Sequence, residues 1–219
     1  MTPKILLASE SPRRINLMRT LGLTFETVKP REPPCPLYSA DPAQLAERLA
    51  VFKALQFKGK GIVVAADTLV AKEGKIYPKP STPEEATRIL RELRGGTHEV
   101  ITGVAVVYSD CLLVSRERTI VVMRNFSDQE LLRYVESGAP MDKAGAYGIQ
   151  DEFRPVHSFE GCYQNVVGLP LCLVCRLLTK LNVKIHITMP EECRTCARAS
   201  ELRRCGLGTC HAGFIESVT

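Results

Sequence analysis

Two short apolar runs that end abruptly at polar residues constrain this chain more than any other feature. Ile5-Leu6-Leu7-Ala8 stops at Ser9, and Ile62-Val63-Val64-Ala65-Ala66 stops at Asp67. Each reads as a buried strand whose end opens a loop. The first is followed by Ser11 and Pro12, the signature of a capped helix start. Further helices are marked just as plainly. Residues 41–57 place Leu45, Leu49, Phe52 and Leu55 near one helical face, and Thr82-Pro83-Glu84-Glu85 opens a helix that runs to about Arg94 and stops at Gly95-Gly96. Ser127-Asp128-Gln129-Glu130 matches a capping box for a helix to about Glu136, and residues 168–181 support another that ends near Asn182. Two stretches rich in Val, Ile and Thr, Glu99 to Val107 and Leu112 to Met123, flank the turn-prone Ser109-Asp110 and read as long paired strands, with 183–187 as a last strand. This order predicts an α/β fold around a mixed sheet, with strand-end loops forming a cleft.

At 219 residues there is room for one substantial domain and a small appendage. A composition of 45% hydrophobic and 24% charged residues excludes the disordered and membrane classes. The opening apolar run is too short for a signal peptide, so a cytoplasmic location is expected and the nine cysteines read as thiols or metal ligands rather than a disulfide framework. A net charge of +5, not gathered into long runs, suits a phosphorylated small molecule at least as well as a nucleic acid.

Ser9-Glu10-Ser11-Pro12-Arg13-Arg14 sets two guanidinium groups in the first turn of a helix, where the dipole already presents positive charge. That is unfavourable unless an anion binds there, and N–H groups, hydroxyls and arginines together make a phosphate site. A solvated arginine pair on a surface helix is the alternative. Asp67, directly after an apolar strand, stands where catalytic and metal-binding acids are found at the carboxyl end of a sheet, although a turn aspartate reads the same way. Lys79 lies between Pro78 and Pro80, which restrict where its ammonium reaches; the alternative is a plain surface lysine. Residues 141–150 mix charged, small and amide side chains without periodicity, the mark of a segment that lines something, whereas 161–171 suits a packed loop supporting the last core helix.

These motifs, together with His98-Glu99-Val100-Ile101-Thr102-Gly103-Val104 and Asn165-Val166-Val167-Gly168-Leu169-Pro170, follow one another in the order of the Maf family of nucleoside triphosphate pyrophosphatases. The chain resembles that family from about Pro3 to about Ile187. The resemblance implies an elongated Maf/ITPase-like α/β fold, its mixed central sheet flanked by helices around a central cleft. It also implies cleavage of a nucleoside triphosphate to monophosphate and pyrophosphate with a divalent metal, usually magnesium. In family terms Ser9, Arg13 and Lys79 hold the triphosphate, with Arg14, Lys53, Thr68 and Lys143 also binding substrate. The resemblance likewise implies Asp67 as catalytic base and as a metal-side carboxylate with Glu32, and Lys79 and Gln150 as residues of the catalytic site. Glu32 stands in the proline-rich stretch 29–36, in the place of the family's glutamate after the second strand. The Ala-Tyr-Gly-Ile-Gln stretch is similar to the subgroup acting on UTP and dTTP rather than the one preferring methylated guanine nucleotides. After Gln150 the chain departs: Asp151-Glu152 and Arg154-Pro155 replace smaller residues and are expected to alter the mouth of the cleft. A homodimer is the expected assembly. The rival reading is a non-catalytic, nucleotide-sensing regulator of septum formation.

The resemblance ends near residue 187 and leaves 188–219 as a Cys-rich extension. Cys193, Cys196, Cys205 and Cys210 have the number of ligands for one tetrahedral zinc, the alternative being free thiols. The tail carries four arginines and four acidic residues, so it is neutral, which argues against nucleic acid and leaves a protein partner as its candidate role. Cys172 and Cys175 lie in the apolar run 169–178 and are expected to be core residues on a helix.

Overall fold

Strand pairing decides where Asp67 stands. In the computed structural model, which describes residues 3–34, 37 and 39–185, strand β1 (Ile5–Ala8) pairs in parallel with β3 (Ile62–Lys72) only as far as Leu7 opposite Val64. Strand β4 (Lys75–Tyr77) folds back on the same edge of β3 but begins at Val70. Between Val64 and Val70 that edge has no strand beside it among the described residues, and Asp67 and Thr68 stand in the gap. On its other edge β3 pairs continuously with β5 (Thr97–Tyr108), antiparallel, with Asp67 opposite Gly103. The expectation that the strand ends at Asp67 is thus corrected: the antiparallel partner carries it on to Lys72, and only the parallel partner stops.

The sheet runs β2-β1-β3-β5-β6-β7, with β2 (Phe25–Val28) at one end, β6 (Cys111–Met123) next to β5 and β7 (Val156–Glu160) at the other end. On one face lie helix α1 (Pro12–Arg19) and the late helix α6 (Leu171–Lys180), which bury Leu17, Met18, Val174 and Leu178 against Leu7, Val64 and Val106. On the other face lies α2 (Pro42–Leu55). Near β4 a second core gathers under α3 (Pro83–Leu93) and α4 (Asp128–Glu136) around Ile89, Leu90, Phe126 and Leu131. A short helix α5 (Tyr163–Val167) precedes α6, and Gly168, at φ +122°, separates the two. The predicted helix over 168–181 therefore begins only at Leu171.

Helix starts follow their caps. The Asp41 carboxylate accepts from Ala43 N at 2.9 Å, and Thr82 Oγ1 accepts from Glu85 N at 3.2 Å. Ser127 and Glu130 form the complete capping box, a device worth about 1 kcal/mol. Ser11 occupies the predicted cap position of α1, but its side chain caps nothing; its N–H donates to Ser9 Oγ at 3.2 Å.

Helix α2 departs from the predicted face. Ala46, Ala50, Ala54 and Lys53 are buried, while Leu45, Leu49 and Phe52 are half-buried and Leu55 is exposed. The cause is close approach. A Cβ at Gly103 would lie 2.3 Å from the carbonyl oxygen of Ala46, so small residues on both elements let the helix backbone rest on the sheet. Residues 183–185 form no strand, and the rest of the predicted strand 183–187 lies outside the described residues, as do Cys193, Cys196, Cys205 and Cys210. Cys172 and Cys175 are buried core residues on α6, as expected. Among the described residues no helix is long and apolar enough to cross a membrane.

Candidate active site

The gap beside β3 opens into a cleft of about 400 Å³. Its walls come from the start of α1, the middle of α2, β3, the loop after β4 and the segment 143–151. Five cationic side chains line it, Arg13, Arg14, Lys53, Lys79 and Lys143, against three carboxylates, Glu32, Asp67 and Asp151. The surplus of two positive charges favours an anion in the cleft.

Lys53 is the pivot. It projects from the buried side of α2 with a side chain only 10% exposed, and its Nζ lies 2.5 Å from Asp67 Oδ1 and 3.4 Å from Glu32 Oε1. The largely exposed Glu32 is thereby drawn to the same cation as the nearly buried Asp67.

The two arginines are not a solvated pair. Arg14 Nε donates to Gly168 O at 2.8 Å and its Nη2 to Thr68 Oγ1 at 2.9 Å. Thr68 meets Thr102 Oγ1 at 2.9 Å, and Thr102 donates to Asn165 O at 3.2 Å, so α1, β3, β5 and α5 are tied in one line. Burial pulls the Arg14 guanidinium below its ordinary pKa; Asp67 opposes that shift and Arg13 adds to it. Arg13 donates to Asp142 Oδ2 at 3.0 Å and to its carbonyl oxygen at 3.3 Å. Lys143 is held by Asp142 Oδ1 at 2.9 Å and Ala139 O at 2.5 Å.

Lys79 differs from the rest. It lies in the loop after β4 and takes part in no hydrogen bond or ion pair among the described residues. Burial, then Arg14 and Lys53, lowers its pKa from the ordinary lysine value, against the pull of Asp67 and Asp142. An unpaired ammonium among like charges is a cation in want of an anion.

The fold thus brings Arg13, Arg14, Glu32, Lys53, Asp67, Thr68, Lys79, Lys143 and Gln150 to one cleft. Ser9 is not on its wall: 4% exposed, its hydroxyl accepts the Ser11 N–H. Sequence reasoning gave no role to Asp142, which fixes Arg13 and Lys143, although it heads the aperiodic segment singled out above. It also missed Tyr134, whose amphipathic helix reads simply as core. The Tyr134 hydroxyl donates to Asp151.

The profile of the family described as "Maf-like protein" matches residues 4–181. The chain belongs to the Maf family. Its Maf relatives include the dTTP/UTP pyrophosphatase of Dehalococcoides mccartyi, 44% identical over 204 residues, or 89% of this chain and 91% of the relative. The dTTP/UTP pyrophosphatase of Thermosipho melanesiensis is 41% identical, covering 80% of this chain and 96% of its own. That of Dictyoglomus thermophilum is 41% identical, covering 84% and 100%. The Maf match contains every residue named in the cleft and stops before the Cys-rich extension.

Proposed function

We propose that this chain hydrolyses UTP and dTTP between the α- and β-phosphates, giving the nucleoside monophosphate and pyrophosphate. The observation that carries the reading is the nearly buried Asp67, joined through Lys53 to Glu32 in a cleft that otherwise holds a surplus of cations. The substrate pair is taken from the relatives, which are named for it.

The donor set fits a magnesium ion. Asp67 and Glu32 offer hard carboxylate oxygens that meet at one cation, the Lys53 ammonium, and magnesium is commonly held by one or two carboxylates with substrate phosphates. When bound, the ion neutralises phosphate charge and polarises the phosphoryl group. Asp67 orients a water and takes its proton as the water oxygen bonds to the α-phosphorus. The bond from that phosphorus to the bridging oxygen breaks, and pyrophosphate leaves with the bridging oxygen. Lys79, without a hydrogen-bond or ion-pair partner among the described residues, and Arg13 meet the charge that grows on the leaving group. Arg14, engaged by Gly168 and Thr68, braces the start of α1 so that its N-terminal amides face the phosphates. Gln150 lines the same wall. Work in the cytoplasm, where nucleoside triphosphates are plentiful, is part of the same proposal.

A non-catalytic regulator finds no support here, since relatives spanning nearly their whole length are named as enzymes and the charged set is intact. The test is product stoichiometry with magnesium and UTP or dTTP. One pyrophosphate per monophosphate is expected, and stepwise orthophosphate with a diphosphate intermediate would overturn the proposal.

A further inference from the structure

Glu32 and Asp67 both meet Lys53, but the third carboxylate of the cleft, Asp151, does not. Asp151 follows Gln150 on the cleft wall, and its setting is specific. Its Oδ2 accepts from the Tyr134 hydroxyl and lies 3.5 Å from Lys143 Nζ. That hydroxyl in turn accepts the Gly148 N–H at 3.2 Å. Burial, then the bond to Asp151, raises the Tyr134 pKa well above its ordinary value, so the phenol keeps the proton it donates. Lys143 is shared with Asp142 and Ala139 and is not Asp151's alone. The other oxygen, Oδ1, lies against Gly148, where a Cβ would come within 2.5 Å of it. It accepts no hydrogen bond among the described residues and is not sealed from solvent.

A carboxylate has only acceptors to offer, and so has a triphosphate, so the two repel where they meet. The nucleoside end carries donors: an N–H on a uracil or thymine ring and an O–H on the sugar. We propose that Asp151 is a specificity-determining residue that accepts a hydrogen bond from a base N–H or a sugar O–H and so sets which way round the nucleotide lies, phosphates toward Lys79. The inference rests on the pyrophosphatase reading above. Gly148 leaves the space that Oδ1 fills, and Tyr134 holds the carboxylate in place from behind.

The experiment measures kcat/KM for dTTP, N3-methyl-dTTP and 2′,3′-dideoxy-TTP with the whole protein, Asp151→Asn and Asp151→Ala, each with its melting temperature. The native protein is expected to lose about 10- to 100-fold with the analogue that lacks the recognised donor, the usual range for a hydrogen bond to a charged group. The methylated base reports an N–H and the dideoxy sugar an O–H. Asp151→Ala should treat dTTP and that analogue alike, and Asp151→Asn, which keeps one acceptor, should retain part of the discrimination. Three results would overturn the inference: a native protein indifferent to both analogues, Asp151→Ala with undiminished discrimination, or a magnesium requirement that shifts with Asp151, which would make it a metal ligand. If the native protein releases no pyrophosphate from dTTP or UTP, the activity reading falls and this inference with it. If only the analogue pattern fails, the activity reading stands.

Discussion

Lys53 is held between two carboxylates of unequal burial, and that inequality separates what Asp67 does for the reaction from what it does for the fold. Asp67→Asn keeps size and one acceptor but removes the charge that, in the proposed mechanism, holds a metal and takes a proton, and turnover with UTP should fall by about 10²–10⁴. It should also cost stability. Lys53 would be left nearly buried with only the exposed Glu32 at 3.4 Å, a loss of about 1–3 kcal/mol. At roughly 2–4 °C per kcal/mol for a chain of this size, melting curves will show it. Adding Lys53→Met should return part of the melting temperature and none of the turnover. Near-native turnover in Asp67→Asn would make Asp67 structural and move the base elsewhere. At this scale the sequence was informative for residues that touch the cleft directly, because arginines at a helix start and an acid after an apolar run are read from chain neighbours. It was silent on Asp142 and Tyr134, whose roles come from partners far along the chain: Arg13 is 129 residues from Asp142, and Asp151 is 17 from Tyr134.

Helix α2 delivers Lys53, and its distance from the sheet is set by Gly103 on β5. Gly103→Ala would drive a methyl to 2.3 Å from the Ala46 carbonyl oxygen, which is backbone and has nowhere to go. The helix must lift, at a cost of about 1–3 kcal/mol or more, and Lys53 must shift with it. Urea unfolding should show the lost stability, and kcat per folded molecule should fall although no cleft residue is altered. A variant as stable and active as the native protein would mean that α2 does not depend on this close approach. Capping chemistry made the starts of α3 and α4 legible, since each cap is encoded within a few residues of the turn it satisfies. The buried face of α2 was not legible. The eye follows its leucines, but a helix laid backbone to backbone on a sheet buries its alanines, and the glycine that permits this lies in another strand. Likewise, that β3 runs past Asp67 depends on β1 and β5 ending at different places, a property of pairing rather than of the strand.

For the molecule as a whole, acid sensitivity has an identifiable source beside the cleft. His98, 2% exposed, bonds through Nε2 to the Tyr147 hydroxyl at 2.7 Å; burial, then Lys72, lowers its pKa from 6.5 to about 4. The folded protein therefore keeps His98 neutral where the unfolded chain takes up a proton. Stability from this group is present above pH 6.5 and is lost as pH falls toward 4, by on the order of 3 kcal/mol. Glu92 and Glu130, held at about 2, lose their contribution only below the ordinary carboxylate value of 4.5. Urea midpoints measured from pH 7 to 4.5 should drop steeply in the native protein and less in His98→Asn, and parallel slopes would contradict the assignment. The alternation of strands and helices made the α/β class readable from the chain, and the ordered motifs made the family readable; the cleft itself arises only when the ends of β1 and β4 leave one edge of β3 bare. In the proposed reaction water attacks the α-phosphorus in that cleft. Hydrolysis of UTP in ¹⁸O-labelled water, with both products weighed by mass spectrometry, tests it most directly: the label should appear in the monophosphate and not in pyrophosphate, and label in pyrophosphate or release of labelled orthophosphate would contradict the account.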